Sequence, residues 1–293
     1  MSPALLDPPT AGCSLETALG CPRDFLNNRY VYMVVSSRAQ GLSLGVNMNP
    51  DRVCNFDCAY CEVSRSSSPP CLVLDVDVMA AELQRTLEYV RSGQIRTHPV
   101  FSELPEALLR PRHVALSGDG EPTQSPLFVE AVEAVVHLRA NGATPYFKMV
   151  LVTNGTGLDN PAVHQGLSYF TSQDEIWVKL DAGTQGYMDR VNRSTVPLKK
   201  VLANILELGR RRPVVIQSLF LSIDSMPPPP DEITAYVQRL KELRDAGAKI
   251  SLVQIYSATR PTPHSECGHL PLRTLSRIAS SVRQTTGLRV EVY

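Results

Sequence analysis

The segment Cys54-Asn55-Phe56-Asp57-Cys58-Ala59-Tyr60-Cys61 brings three thiols together in one short stretch, with an aromatic residue directly before the last. A cubane iron–sulfur cluster normally takes four protein thiolates, so three cysteines leave one iron open to a small ligand. An open iron makes such a cluster a reaction site as well as an electron relay. The spacing of these cysteines therefore favours a catalytic iron–sulfur centre.

Zinc binding and simple burial are the alternatives for these three thiols. Structural zinc usually has four ligands, commonly as two C-x2-C or C-x2-C and H-x3-H pairs, and the sequence has no second pair of that kind. The total of seven cysteines is odd, and the others are scattered at Cys13, Cys21, Cys71 and Cys267. This usage is typical of a reduced, cytoplasmic metalloprotein and not of a disulfide framework.

The composition is that of a neutral chain of ordinary size. It has 293 residues, 43% of them hydrophobic, and a formal net charge of zero. This length is enough for a single α/β barrel domain with a large core. Neutral charge gives no overall electrostatic reason to expect nucleic acid or a membrane, although a local basic groove is compatible with it. No stretch reaches the roughly 18 apolar residues of a membrane span, and residues 1–20 lack the pattern of a signal peptide.

Beyond residue 40, predicted strands alternate with predicted helices. Strands are predicted at 42–47, 113–117, 147–152, 175–180, 214–221, 250–255 and 288–293, and helices at 77–92, 127–139, 198–211, 231–247 and 272–286. Such alternation with short connections implies parallel strands, which right-handed crossovers curl into an open or closed barrel. We therefore predict an α/β fold with an irregular N-terminal extension at 1–40, rich in Pro, Gly and Ser, and one barrel domain at 41–293.

Polar motifs follow several of the predicted strands at their carboxyl ends. These are the cysteine segment, Gly118-Asp119-Gly120-Glu121-Pro122, Asn154 and Asp181. Active residues of α/β barrels lie at this end of the strands. The coincidence is the strongest support in the sequence for an enzyme.

The C-x3-C-x-aromatic-C spacing resembles the signature of the radical S-adenosylmethionine (radical SAM) superfamily. The resemblance implies a partial (β/α)6 barrel in which Cys54, Cys58 and Cys61 hold a [4Fe-4S] cluster and SAM chelates the open iron. In that superfamily, one electron from the cluster breaks the sulfonium C–S bond. Methionine and a 5′-deoxyadenosyl radical result, and the radical takes a hydrogen atom from the substrate. The resemblance also implies a flavodoxin- or ferredoxin-type protein as electron donor.

The resemblance suggests which residues bind SAM. Glu121 and the glycines before it resemble the superfamily's Gly-Gly-Glu-Pro motif, where a carboxylate and closely approaching backbone meet the SAM amino group. Lys179 and Asp181 lie on one face of a strand and are expected at the SAM carboxylate and ribose. The full set of expected SAM contacts is Tyr60, Ser117, Gly118, Asp119, Gly120, Glu121, Asn154, Lys179, Asp181, Gln217 and Tyr256.

Simpler interpretations exist for several of these positions. Tyr60 could belong to the core, and the segments 118–122 and 153–155 could be ordinary turns. Lys179 and Asp181 could form a surface salt bridge.

Substrate contacts have no pattern as clear as the cysteine spacing. The amide of Gln217 could serve SAM or substrate, or bond to neighbouring backbone. Arg190, Asn192 and Arg193 could grip an anionic substrate or form a solvated helix face. Cys267 could donate a hydrogen atom from its thiol or be a packed thiol.

Motifs at 117–123, 153–155, 179–184 and 256–263 resemble a bacterial group similar to the wybutosine-synthesis radical SAM enzymes, which remodel a tRNA guanine using pyruvate. The resemblance covers roughly Leu42 to Pro263. Those enzymes carry a second cluster from upstream cysteines and use a lysine near the N-terminus for pyruvate. This chain has only two cysteines before the motif and no lysine before Lys148. We therefore expect radical SAM chemistry on a small-molecule or nucleoside-like substrate.

Two other functions stay open. A radical SAM enzyme that modifies tRNA or another RNA would be supported by a basic face, for which the sequence offers Arg110, Arg112, Arg190, Arg193 and Arg210–Arg212. A non-catalytic iron–sulfur or zinc protein would hold metal at the three cysteines without binding SAM. RNA is thus a secondary expectation beside a small molecule, and no membrane partner is expected.

Overall fold

The computed structural model describes residues 25–63, 73–142, 144, 146–258 and 264–293. Its strands are β1 Val31–Ser36, β2 Gly41–Asn47, β3 Pro111–Ser117, β4 Lys148–Thr153, β5 Glu175–Lys179, β6 Val214–Leu219, β7 Ser222–Ile223, β8 Ile250–Tyr256, β9 Cys267–Gly268 and β10 Val290–Val292. Its helices are α1 Val76–Arg91, α2 Pro99–Ser102, α3 Glu106–Leu109, α4 Phe128–Ala140, α5 Pro161–Ser168, α6 Gln185–Val191, α7 Leu198–Arg211, α8 Pro230–Asp245 and α9 Leu272–Thr286. Cys13, Cys21 and Cys71 lie outside the described residues.

The main sheet is open and curled, with the strand order β1-β2-β3-β4-β5-β6-β8-β10 in the part of the chain that the structure describes. From β2 onward every neighbouring pair is parallel, as the alternation of strands and helices predicts. Strands β7 and β9 form a separate antiparallel pair. The predicted α/β half-barrel is therefore confirmed, with its carboxyl strand ends gathered at one edge.

Strand β1 lies in the region predicted to be irregular, and that part of the prediction is wrong. It pairs antiparallel with β2, and Val31 and Met33 are completely buried. A turn joins the two strands, with a 3.0 Å hydrogen bond from Gln40 N to Ser37 O. The β1 segment at 31–35 is a short, continuous apolar run without polar alternation, so periodicity gives no signal for a strand there. A boundary at residue 41 would divide this hairpin.

The two faces of the sheet are packed differently. Helices cover the outer face, as α7 does with Val201 and Ile205 buried on its apolar side. The inner face carries a small separate apolar cluster made of Val150, Trp177 and Val215. Polar residues lie on this inner face above and below the cluster. In the described ranges, no helix is both long and apolar enough to cross a membrane.

A buried carboxylate on α1 fixes the start of β1. Glu82 is 3% exposed. It accepts hydrogen bonds from the backbone N–H groups of Arg29 (2.7 Å), Tyr30 (2.9 Å) and Val31 (3.1 Å). One side chain thus satisfies three donors at the edge of the sheet, where backbone groups otherwise lack partners.

We expect Glu82→Ala to lower the free energy of unfolding by about 3 kcal/mol, because three backbone donors lose their acceptor. Urea denaturation followed by circular dichroism measures this change. Glu88→Ala is the matched control, since Glu88 lies exposed on the same helix and pairs with the exposed Arg91. That control should change stability by less than about 0.5 kcal/mol. Equal effects of the two substitutions would contradict the assignment.

Candidate active site

The cysteine loop follows β2 and is docked on the end of α6. Cys54, Cys58 and Cys61 are half-buried cysteines. Backbone N–H groups of Asp57 and Ala59 donate to the carbonyls that end α6, at 3.0 Å and 2.8 Å. The accepting carbonyls are those of Asn192 and Val191. The orphan carbonyls of a helix end therefore hold the loop in place.

Three N–H groups point at the cysteine sulfurs. The Asn192 side chain donates to Cys58 Sγ at 3.5 Å. Cys54 Sγ accepts from Phe56 N at 3.4 Å and, more weakly, from the Asn154 amide at 3.9 Å. Such donors stabilise negative charge on sulfur and tune an iron–sulfur cluster.

Asn192 is only 2% exposed, so its placement differs from the predicted solvated helix face. Its amide bonds to Cys58 and to Asp181, at 2.8 Å from Asp181 Oδ2. The solvated helix face is therefore wrong for Asn192, and its contact with a substrate stays a prediction. A residue 134 positions from its cysteine gives no local pattern from which this contact could be predicted.

The thiols fit an iron–sulfur cluster better than a single metal ion. Among the described residues, no three His, Cys, Asp or Glu side chains are arranged to hold one ion. Separate irons of a cluster do not require that convergence. Burial, together with the negative charge of Asp181, raises the pKa of Cys58 to about 12 in the metal-free protein. Metal binding at Cys58 must therefore release a proton.

A buried ion pair lies beside the loop. Lys179 Nζ is 3.2 Å from Asp181 Oδ1, and the two side chains are 15% and 0% exposed. The surface salt bridge considered for this pair is therefore wrong. The Tyr60 hydroxyl donates to Asp181 Oδ2, and Leu219 N donates to Asp181 Oδ1 at 2.8 Å. Asp181 thus connects β5, β6 and the cysteine loop.

The Lys179 ammonium sits between two aromatic rings. It donates to the Tyr256 hydroxyl at 2.9 Å, and it lies 4.9 Å from the Tyr60 ring centroid and 5.0 Å from that of Tyr256. Burial alone would lower the pKa of Lys179, but Asp181 and Tyr256 outweigh it and raise the pKa above its usual value. Lys179 is therefore a cation at neutral pH. The predicted contacts of these residues with SAM stay predictions.

The Gly118–Pro122 segment packs directly against the cysteine loop. Gly118 has φ +133°, a conformation that favours glycine. A Cβ at Gly120 would lie 2.1 Å from the Val53 carbonyl oxygen, so only glycine allows the two segments to approach. The same carbonyl accepts from Glu121 N at 3.0 Å. The segment is thus a specific support of the loop and more than an ordinary turn.

The remaining polar residues of this segment are also paired within the protein. The Asp119 carboxylate accepts from the Asn47 amide at 2.7 Å. Ser117 Oγ lies 2.8 Å from the Tyr32 hydroxyl. The first contact joins the ends of β2 and β3, and the second joins the end of β3 to β1.

The Glu121 carboxylate is turned into the protein. It accepts from Thr123 N (3.1 Å), Thr123 Oγ1 (2.6 Å), Thr153 Oγ1 (2.5 Å) and Asn154 N (2.7 Å). Burial raises the pKa of Glu121, and these four donors oppose that shift. The carboxylate therefore joins the ends of β3 and β4. Its contact with the SAM amino group stays a prediction.

Asn154 is hydrogen-bonded within the protein, and its contact with the methionine carboxylate or substrate stays a prediction. Its amide nitrogen donates to Asn55 Oδ1 at 2.8 Å, and its amide oxygen accepts from Thr156 N and Oγ1 at 3.0 Å and 2.7 Å. Because the amide is used within the protein, we assign Asn154 to holding the cysteine loop. The turn that it forms positions the loop from β4.

Two further residues predicted from the sequence, Gln217 and Cys267, are buried in strands of the second half of the chain. Gln217 donates to Gln254 Oε1 at 2.8 Å, and both side chains are 2% exposed. This contact, and not neighbouring backbone, satisfies the Gln217 amide nitrogen. Cys267 is buried in β9, opposite Ile223. Its role as a hydrogen donor stays a prediction.

The arginines do not form the single basic face that RNA binding would favour. Arg110 and Arg112 lie at the amino end of β3, whereas Arg190 and Arg193 follow β5 at the carboxyl end of the sheet. The segment Arg210–Arg212 precedes β6 and lies at the amino end. RNA as a partner stays a prediction. Acidic partners also compensate several of these charges, as in the pairs Arg110–Glu106, Arg190–Asp224 and Arg211–Glu207.

The sequence profile of the Radical SAM superfamily matches residues 48–232, which include the cysteine loop, the Gly118–Pro122 segment and the Lys179–Asp181 pair. The chain belongs to the radical SAM superfamily. It is therefore an enzyme whose cofactors are a [4Fe-4S] cluster and SAM.

Similar proteins agree with this assignment. The UPF0026 protein of Helicobacter pylori strain J99 is 24% identical over 243 residues, which cover 80% of this chain and 70% of that relative. A radical SAM methyltransferase from Sphaerobacter thermophilus superposes with a TM-score of 0.61 at 16% identity, covering 90% of this chain and 68% of that one. TYW1 with a bound lysine–pyruvate adduct superposes with a TM-score of 0.55 at 15% identity, covering 87% of this chain and 84% of that one. The predicted resemblance to wybutosine-synthesis enzymes is confirmed for the fold.

We expect Asn192→Leu to make the reduction potential of the reconstituted cluster more negative, because Cys58 loses an N–H donor that stabilises the reduced state. A potentiometric titration followed by electron paramagnetic resonance (EPR) measures the potential. Asn160→Ser is the control, since Asn160 caps the distant helix α5 and serine preserves a capping acceptor. An unchanged potential in Asn192→Leu, at full iron content, would contradict the role of this amide.

Proposed function

We propose that this radical SAM enzyme reductively cleaves SAM and uses the resulting radical to abstract hydrogen from a small-molecule or nucleoside-like substrate. The observation that carries the proposal is the buried pair Lys179–Asp181, hydrogen-bonded through Tyr60 and Asn192 to the cysteine loop. A charged pair inside a barrel is costly unless partners compensate it. Its location at the mouth, next to three thiols, supports a binding role.

The residues divide into three groups by what they hold. Cys54, Cys58 and Cys61 would ligate three irons of the cluster. Lys179 and Asp181 would bind the carboxylate and ribose of SAM, as the superfamily resemblance suggests. When bound, these cofactors supply a 5′-deoxyadenosyl radical from the one-electron cleavage of the C–S bond of SAM.

Other parts of the barrel restrict what the radical could meet. Val150, Trp177 and Val215 close the inner face below the site with apolar, buried side chains. Excluding water protects a reactive intermediate from side reactions. The electron would come from a flavodoxin- or ferredoxin-type protein, which is our expectation from the superfamily.

The alternative functions receive less support. RNA modification would need a basic surface, and the arginines offered by the sequence lie at opposite ends of the barrel. A non-catalytic iron–sulfur or zinc protein would have no use for the buried Lys179–Asp181 pair beside the loop. The small-molecule or nucleoside-like substrate is therefore the proposal that we favour.

We expect Cys58→Ala to abolish SAM cleavage, because the cluster loses one of its three thiolate ligands. The protein is reconstituted anaerobically with iron and sulfide, mixed with SAM and dithionite, and 5′-deoxyadenosine is quantified. Cys71→Ala serves as the matched control, since Cys71 lies outside the three-cysteine motif. Production of 5′-deoxyadenosine by Cys58→Ala at the rate of the unsubstituted enzyme would falsify the proposal.

A further inference from the structure

Arg38 reaches from one edge of the sheet to a strand near the other edge. It lies in the turn between β1 and β2, and its guanidinium carbon is 4.2 Å from the ring centroid of Tyr256 on β8. Strand β1 is one edge of the sheet, and β8 is next to β10 at the other. Arg38 therefore crosses the open side of the half-barrel. Its charge also contributes, after burial and Lys148, to lowering the pKa of His113 inside the barrel to about 3.

The stacked position leaves the donors of Arg38 available. A guanidinium that covers an aromatic ring keeps its N–H groups directed outward in its own plane, in a fork that matches an oxyanion. Among the described residues, Arg38 has this ring contact but neither a hydrogen-bond acceptor nor an acidic partner. A half-buried arginine with unused donors is suited to a ligand.

The charges around Arg38 are otherwise balanced. Lys179 is paired with Asp181. The acidic residues of the inner face are also paired, Glu175 with Lys148 and Glu291 with Arg289. Arg38 is thus the charge on this side that no described carboxylate compensates. An anion at its donors would meet a positive potential.

A series of contacts connects Arg38 with the cysteine loop. Asn192 touches Cys58, Asp181 joins Asn192 to Lys179, and Lys179 donates to Tyr256. The Tyr256 ring lies between Lys179 and the guanidinium.

Below the Tyr256 ring runs a polar row on the inner face, in which neighbouring strands place side chains in register. The row consists of Lys179, Gln217, Gln254 and Glu291. A molecule bound beside the SAM site would therefore contact this row of polar side chains and the cationic Arg38.

We propose that Arg38 binds an oxyanion of the substrate, a carboxylate or a phosphate, at the open side of the half-barrel. This inference rests on the proposed function, since it assigns the substrate-binding group of that same site. The substrate class is then an anionic small molecule or a nucleotide, and not a neutral nucleoside. Tyr256 positions the guanidinium by stacking, and the fork of Arg38 selects the anion.

The test uses the reconstituted holoenzyme loaded with SAM and kept oxidised, so that SAM stays intact and occupies its own carboxylate site. Inorganic phosphate and acetate are titrated separately by calorimetry at constant ionic strength. We expect saturable binding of at least one anion, weakened about tenfold or more in Arg38→Gln. Phosphate or acetate binding distinguishes the two anion classes. Arg38→Lys keeps the charge but loses the planar fork of donors. Its anion affinity should lie between those of the unsubstituted enzyme and Arg38→Gln.

Arg110→Gln is the matched control, because Arg110 is exposed and already paired with Glu106. It should bind both the probe anion and SAM as the unsubstituted enzyme does. Equal anion affinity in Arg38→Gln and in the unsubstituted enzyme would overturn the inference, and so would the absence of saturable binding. Loss of SAM affinity in Arg38→Gln would overturn it too, because Arg38 would then serve SAM itself.

The inference and the proposed function fail separately. If the unsubstituted enzyme forms 5′-deoxyadenosine with dithionite but the anion titrations are negative, only the role of Arg38 is overturned. If a protein with a full cluster and bound SAM forms no 5′-deoxyadenosine, the proposed function fails, and with it the assignment of Arg38 to a substrate.

Discussion

The Asp181 carboxylate is the interaction on which the rest of the site depends. It is completely buried and accepts hydrogen bonds from Tyr60, Asn192 and the backbone of Leu219, while Lys179 neutralises it. A buried carboxylate without these partners would cost several kcal/mol. With them, it becomes a fixed point between the strands and the cysteine loop.

The position of the cysteines follows from this carboxylate. Asn192 is held by Asp181 and in turn donates to Cys58, while its carbonyl accepts from the loop backbone. From the other side, Glu121 holds the turn at Asn154, whose amide bonds to Asn55 in the same loop. Two buried carboxylates, from β5 and from the end of β3, therefore orient a loop that has no secondary structure of its own. Such support from outside the ligand set is what orients metal ligands in proteins.

The sequence predicts the chemistry of this site better than the long-range contacts that hold its residues in place. The cysteine spacing, the strand–helix alternation and the shared face of Lys179 and Asp181 are local patterns. The structure agrees with the last two of them. The sulfur contact of Asn192 and the stacking of Arg38 join residues more than 100 positions apart. Neither contact leaves a periodic or spaced signal. The strand at 31–36 was obscured for a different reason, because it is a short apolar run that carries no alternation.

The residues that contact the substrate likewise leave no periodic or spaced signal in the sequence. Loops and termini contribute most substrate contacts in α/β barrels, and fold alone does not specify them. The arginine over the Tyr256 ring is informative because it comes from the turn between β1 and β2 and its side chain enters the barrel.

The most direct measurement is the EPR spectrum of the reconstituted, dithionite-reduced protein with and without SAM. A cluster held by three cysteines should give the signal of a reduced [4Fe-4S] centre, and SAM should shift its g values by binding the open iron. A spectrum that SAM leaves unchanged, in a protein with a full complement of iron and sulfide, would contradict radical SAM chemistry at Cys54, Cys58 and Cys61.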